Sequence, residues 1–304
     1  MTKIRYHLLV LLATALVAGS FIASEKLAGI ISPISLTLLR FCGATLMLLP
    51  IVLARHTWRS KILSTMPRAM LISLFYSAFF IGLFEALNTT TALNTGTLFT
   101  LVPLITALIS IVAFRERISA KQCFVYLLGI AGTTWVIFKG QLDLLLSFTL
   151  NSGDLIFLFA ILSMSIYTIA MKLLYRNDDM IVLVFCTLAG GSFWMALALI
   201  LTDQPLQWHL IQGHSIGHML YLIIGATLAT VYLYQVTTVA LGPARVNAYI
   251  YINPALIALL FLIFDGTSIS NAVIPGIVIS FFATLVLQSK KTKISKIFDT
   301  NEHY

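Results

Sequence analysis

The sequence predicts an all-α membrane protein of ten transmembrane helices, arranged as two inverted five-helix repeats. Three observations carry this: apolar runs of membrane-spanning length, a one-sided distribution of Lys and Arg, and a match between the two halves of the chain. Of 304 residues, 59% are hydrophobic and 10% are charged, against roughly 25% charged in a soluble domain. The mean hydropathy is +0.97. The apolar residues gather in runs near the roughly 20 residues that cross about 30 Å of hydrocarbon, so the solvent for this core is lipid.

Breaks at charged or turn-rich segments give spans at 7–25, 33–54, 68–89, 93–114, 121–138, 153–175, 180–201, 217–239, 244–264 and 272–289. In span 1, Lys3 and Arg5 precede the apolar stretch Leu8 to Ala18, the pattern of a secretory leader. The stretch continues through Phe21 and Ile22 to Glu25 and Lys26 and has a counterpart later in the chain, so it reads as a retained helix. The segment Lys139 to Ser152, with Gly140, Asp143 and Asn151, reads as an external linker between residues 1–138 and 153–289, and residues 290–304 read as a Lys-rich cytoplasmic tail near anionic lipid.

With ten spans both termini share one side, and charge says which. Placing the N-terminus inside puts 16 of the 19 Lys and Arg residues in inner segments, leaving Lys26, Arg40 and Lys139. Cytoplasmic segments retain Lys and Arg, so both termini are expected in the cytoplasm and the protein in the cytoplasmic (inner) membrane. The formal charge of +8 therefore marks topology and not a nucleic-acid surface. Cys42, Cys123 and Cys186 lie in apolar segments without CxxC spacing, which points to neither a disulfide framework nor a metal centre. No cofactor is called for.

A shift of 151 residues lays Leu71 on Leu222, Ile72 on Ile223, Ala78 on Ala229, Pro103 on Pro254 and Ile118-Ser119 on Ile269-Ser270. A shift of 146 lays Lys26-Leu27 on Lys172-Leu173. Apolar matches are common between membrane helices; the prolines and exit turns weigh more, because they are structural punctuation. Five spans per repeat turn the second copy upside down, the design in which cargo binds near the midplane between halves.

Several residues carry a family likeness. Span 1 ends Gly19-Ser20-Phe21-Ile22-Ala23-Ser24-Glu25-Lys26, Arg40 sits just inside span 2, and Ala86-Leu-Asn-Thr-Thr-Thr-Ala-Leu follows span 3. Leu101-Val102-Pro103-Leu104 lies in span 4, which exits through Arg115-Glu116-Arg117-Ile118-Ser119. Together these resemble an EamA-type domain of the drug/metabolite transporter superfamily, and Gly153-Asp154 with Asn253-Pro254 resembles its second copy. The resemblance implies that spans 1–4 and 6–9 surround a central cavity with spans 5 and 10 peripheral, and that the chain moves amino acids, drugs, nucleosides or other metabolites. Where the second copy usually ends span 9 with Gly-Glu, this chain has Asp265-Gly266-Thr267, so Glu116 gains no essential role from the likeness.

Within the spans, Glu85 is a carboxylate at a depth where ionisable groups cost energy and face protein or a wet cavity; it is read as a substrate-binding or proton-coupling group, with a structural partner such as Lys26 or Arg40 as the alternative. Arg40 offers a bidentate fork for a substrate carboxylate, or a structural partner for Glu25 or Glu85. Pro103 and Pro254 are read as kinks and gating points. Thr100, Asn247 and Tyr251 lie on stripes three or seven residues ahead of those prolines and are read as cavity lining, with interhelical bonding as the alternative. Ser20 and Ser24 in span 1, Tyr167 with Met171 in span 6, and Gln235 among Tyr232, Tyr234, Thr237 and Thr238 in span 8 complete the polar spots of an apolar pocket. His209, His214 and His218 read as a solvated loop between spans.

The function expected is a secondary transporter for a small polar metabolite, an amino acid or related compound first, with export and proton coupling as options, as a monomer or homodimer. Nucleoside-like or sulfonium metabolites and drugs stay open within the family. A membrane enzyme or a sensor is the alternative, although the spans lack HExxH, a Walker motif and a nucleophile-base set. Reporter fusions at Arg59 and Lys291 are expected to report the cytoplasmic side; an external signal from either would reverse the topology.

Overall fold

A computed structural model describes residues 3–266 and 270–289. Ten helices in it are long and apolar enough to cross a membrane. They are α1 (Ile4–Leu27), α2 (Pro33–Ala54), α3 (Ile62–Leu87), α4 (Asn94–Phe114), α5 (Ala120–Ile137), α6 (Ser152–Leu173), α7 (Met180–Leu201), α8 (His214–Leu241), α9 (Pro243–Phe264) and α10 (Asn271–Gln288). The described residues contain no strand. Because unpaired backbone groups are costly in hydrocarbon, helices are the natural spanning element. The expected tail, residues 290–304, and residues 267–269 lie outside the described residues.

Helix ends follow local chemistry. Ser32 and Thr91 accept N-cap hydrogen bonds from the amides of Ser35 and Asn94. Ser119 with Gln122, and Asn151 with Asp154, form capping boxes that open α5 and α6. The linker leaves α5 through Lys139 and Gly140, both left-handed with φ 55° and 70°. A side chain at Gly140 would also meet the Ala272 carbonyl at 2.5 Å, so this turn has room only for glycine. Two expectations shift. Span 3 begins earlier, at Ile62, which moves Arg68 inside the helix, and His214 and His218 lie in the first turns of α8 and not in a loop.

The helix neighbours carry the internal symmetry. α1 packs on α8 as α6 packs on α3, α2 packs on α8 as α7 packs on α3, and α1 packs on α9 as α6 packs on α4. α2 meets α7, α4 meets α9, and α5 meets α10, each with its own counterpart. Exchanging each of these helices with the one five places along reproduces these principal contacts, as expected of an inverted repeat about a pseudo-two-fold axis.

Small residues bring these pairs close, since lipid gives apolar helices little reason to associate except by packing. A Cβ on Gly82 of α3 would lie 2.9 Å from Ala160 Cβ of α6, and one on Gly19 of α1 would lie 2.3 Å from the Tyr221 hydroxyl of α8. α2 is wedged by glycines on both sides: Gly43 receives Ile223, and Gly191 of α7 receives Phe41. The α5/α10 pair meets backbone to backbone, for a Cβ on Gly276 would lie 2.6 Å from the Gly132 carbonyl oxygen. Gly276→Val is therefore expected to lower stability by about 1–3 kcal/mol, the cost of overpacking, read by thermal unfolding in detergent; an unchanged midpoint would show that this interface yields.

Candidate functional site

The spans that carry Pro103 and Pro254 are both broken, at positions related by the repeat. α4 consists of Ala92–Phe99 and Val102–Phe114, joined by a tight turn in which the Thr100 and Leu101 amides reach back only three residues, to Thr97 and Leu98. In α9 a 3₁₀ stretch, Ala248–Ile252, precedes Asn253–Asp265. Pro103 and Pro254 occupy the first turn of each second segment, where the missing N–H has no helical partner to lose. The prolines thus follow the breaks and do not kink continuous helices. α8 is irregular as well, with a π-helical turn at Ile224–Ala229, a feature frequent at functional sites.

The π-turn faces Arg40. At ~1.5 Å rise per residue, Arg40 lies roughly 10 Å along α2 from its first residue, and it is buried at 8% exposure. Its Nε donates to Thr227 Oγ1 at 3.0 Å and its Nη2 to the Ala226 carbonyl at 3.2 Å. Neither Glu25 nor Glu85 pairs with it, and among the described residues no carboxylate lies within 4.0 Å of its guanidinium. The guanidinium instead sits 5.8 Å from the Phe80 ring centroid, close enough for a cation–π contact.

Phe80 belongs to an aromatic cluster drawn from three helices. Tyr76 of α3 is stacked between Phe41 of α2 (5.4 Å, 22°) and Tyr167 of α6 (4.4 Å, 17°). Phe80 meets Tyr76 and Phe41 edge-on at 5.1 and 5.9 Å. Tyr76 is half-buried, as is Tyr234 of α8. Both pack against the largest buried core cluster. One turn from Tyr167, Gln235 donates to the Met171 carbonyl at 3.2 Å, while its Oε1 and the Thr238 hydroxyl are buried without partners. Burying such groups unpaired is costly, which marks this face of α8 as unfinished polar surface.

The structure brings Arg40, Tyr167 and Gln235 to one centre and sends other predicted residues elsewhere. Glu85 is corrected: it lies in the last turn of α3, exposed, where Asn88 Nδ2 donates to it at 3.3 Å. Its apolar neighbours in sequence do not enclose it. Tyr251 is also corrected, because its hydroxyl donates to the Tyr126 carbonyl at 3.2 Å and its ring fills the space over Gly129 of α5, away from the centre. Asn247 ties three helices, donating to Thr106 of α4 at 2.7 Å and Thr168 of α6 at 3.0 Å. Thr100 and Ser20 donate to carbonyls of their own helices, at Thr97 and Val17. Ser24 is half-buried on α1. Sequence reasoning missed Tyr76, Phe80 and Thr227. A signal existed: the shift of 151 that aligns spans 3 and 8 equates Tyr76 with Thr227, the residue bound to Arg40.

Polar contacts close both ends of the bundle. At the end far from the N-terminus, buried Asp154 accepts from Thr90 Oγ1, from Asn94 Nδ2 at 2.9 Å and from the Asn151 amide at 2.8 Å, joining α6 to the α3–α4 loop. At the N-terminal end, Glu116 faces a shallow cleft with Arg117, Gln122 and Arg245. Burial pushes the Glu116 carboxyl up, against the opposing pull of nearby Lys172 and Arg245. On the same end Arg68 donates to both oxygens of Asp178 at 2.7 and 2.8 Å, and Lys61 pairs with Asp179 at 2.7 Å.

This geometry defines a class: a multi-pass integral membrane protein of two inverted repeats, with a polar-aromatic centre where the repeats meet. The profile of the EamA-like transporter family matches residues 4–138 and 151–288, one copy per repeat, and the chain belongs to that family. A protein solved by crystallography superposes with a TM-score of 0.75 over 94% of this chain and 96% of its own, at 20% identity, a likeness of fold. Comparison with curated protein sequences returned no match.

The Asp178 bridge yields a pH prediction. Burial alone would push its carboxyl up, but the hydrogen bonds from Arg68 and the Arg176 amide outweigh this and hold it below the ordinary value. A depressed folded value adds stability that is present above the unfolded value, ~3.9, and is lost as pH falls through the folded one. Asp178→Asn is expected to remove that component, so its stability should fall less steeply below about pH 4 than that of the parent; parallel acid-unfolding curves would show that the bridge contributes nothing.

Proposed function

We propose that the protein is a secondary carrier that moves a small polar metabolite, an amino acid or related compound, across the cytoplasmic membrane by alternating access, with both termini in the cytoplasm. The observation that carries this reading is the centre itself: Arg40, Tyr76, Tyr167 and Gln235, contributed by both repeats. Irregular backbone within membrane helices is tolerated where it is buried in protein or lines a cavity, and here it occurs in α8, where the π-turn holds Arg40, and in α4 and α9. The breaks in α4 and α9 are related by the repeat and supply equivalent points at which each half can bend. Family membership supports transport as the activity. Proton coupling through Glu85 loses its premise, since that carboxylate is exposed, and the carrier is proposed to run on the gradient of its cargo, with export as the direction tested first.

Proteoliposomes holding the purified protein, loaded in turn with amino acids, nucleosides and sulfonium metabolites, are expected to exchange at least one solute, with little change when a pH gradient is imposed. Tyr76→Ala and Gln235→Ala should each lower that exchange about tenfold, by removing stacking and a buried hydrogen-bonding group. Failure of every solute to exchange would overturn the carrier reading, and rates that follow the pH gradient would restore a proton-coupled one.

A further inference from the structure

The charge at the centre of the bundle is the feature that packing explains least. A guanidinium in a low-dielectric interior costs several kcal/mol unless it is paired, and Arg40 meets only two neutral oxygens and a ring face. Of the five N–H donors of a guanidinium, two are engaged by these contacts. What holds them is unusual backbone. In a π-turn amides reach back five residues and not four, and the turn at Ile224–Ala229 presents the Ala226 carbonyl and the Thr227 hydroxyl toward α2. The Ala226 carbonyl accepts a second hydrogen bond, from Thr230 Oγ1 at 2.8 Å. When Arg40 leaves, that carbonyl keeps a partner, so the contact can open without orphaning a buried backbone group.

We propose that Arg40 is the anion-binding group of the central site, that the π-turn of α8 holds it in the unloaded protein, and that the cargo carries a carboxylate or similar planar oxyanion which takes Arg40 over from Ala226 and Thr227. This rests on the carrier reading and names its substrate class. The fork of a guanidinium matches a carboxylate with two parallel hydrogen bonds, and a charged acceptor binds it more strongly than a carbonyl and a hydroxyl do. Tyr76 and Phe80 stand beside the guanidinium as a wall for the apolar body of the cargo. The exchange has a mechanical consequence. α2 belongs to the first repeat and α8 to the second, so the two hydrogen bonds that the anion replaces join the halves. Occupancy of the site thereby removes a contact that resists their relative movement.

The test uses the full-length protein with benzoate and its neutral isostere benzamide as probes, read by ligand-induced thermal stabilisation, and phenylalanine against phenylalaninamide in proteoliposome counterflow. Benzoate is expected to stabilise the protein at concentrations at which benzamide does not, and Arg40→Gln to erase that difference while Arg40→Lys keeps part of it. Equal stabilisation by the two probes, or discrimination that survives Arg40→Gln, overturns the proposal. Should Arg40→Gln fail to fold, Thr227→Val carries the test, because it removes a competitor for Arg40. Benzoate should then bind about twofold to tenfold tighter, the worth of one hydrogen bond, and unchanged or weaker binding overturns the proposal. Stabilisation by benzoate with no counterflow of phenylalanine or any other solute would keep the role of Arg40 and overturn the carrier reading alone; neither binding nor counterflow overturns both.

Discussion

Hydrocarbon offers backbone amides and carbonyls no hydrogen bonds, and the architecture follows from that constraint. Each crossing has to satisfy itself, which makes it a helix, and any departure from a regular helix has to be shielded by protein or by a polar cavity. The departures here fall in α4, α8 and α9. Each is repaired locally: tight amide contacts at Thr100 and Leu101, a 3₁₀ stretch before Asn253, and Thr230 and Arg40 on the carbonyl that the π-turn exposes. The places where the helical ladder is interrupted are therefore also the places where polar groups gather. The proposed cargo site and its proposed bending points share that one physical cause.

The inverted repeat distributes this centre between two structurally equivalent halves that are chemically different. Tyr76 and Thr227 hold equivalent positions, yet the first stacks between Phe41 and Tyr167 while the second binds a guanidinium. Asn94 and Arg245, equivalent under the same shift, serve opposite ends: Asn94 donates to Asp154, and Arg245 lines the cleft that holds Glu116. Equivalent scaffolds with unlike side chains give each end its own set of contacts, the arrangement that the proposed alternating mechanism needs.

Legibility from sequence divided along the scale of the interaction. Span length and loop charge are properties of about 20 residues at a time, and the ten helices match the expected spans to within a few residues at most ends. The two repeats could be seen because Pro103 and Pro254 punctuate them. Side-chain direction could not be seen. Glu85 has apolar sequence neighbours on both sides, but it falls on the last turn of α3, where the helix meets its loop. Tyr251 and Asn247 are four apart and share a helix in sequence, but a 3₁₀ stretch lies across them and rotates their directions, so that one binds α5 and the other binds α4 and α6.

Arg40 shows the same division within one residue. Its type and position announced a buried cation that needed a partner, and the residues nearest in charge, Glu25 and Glu85, were the natural expectation. Its actual partners, Ala226 and Thr227, are 186 and 187 residues away, and one of them is a backbone carbonyl turned outward by a π-turn. The sequence alone determined that this protein crosses a membrane ten times as two related halves, because hydropathy and helical period are local and additive. Which polar groups meet at the centre was decided only by the tertiary structure, because that depends on helix rotation and on a change of one residue in hydrogen-bond register, neither of which has a signature in composition.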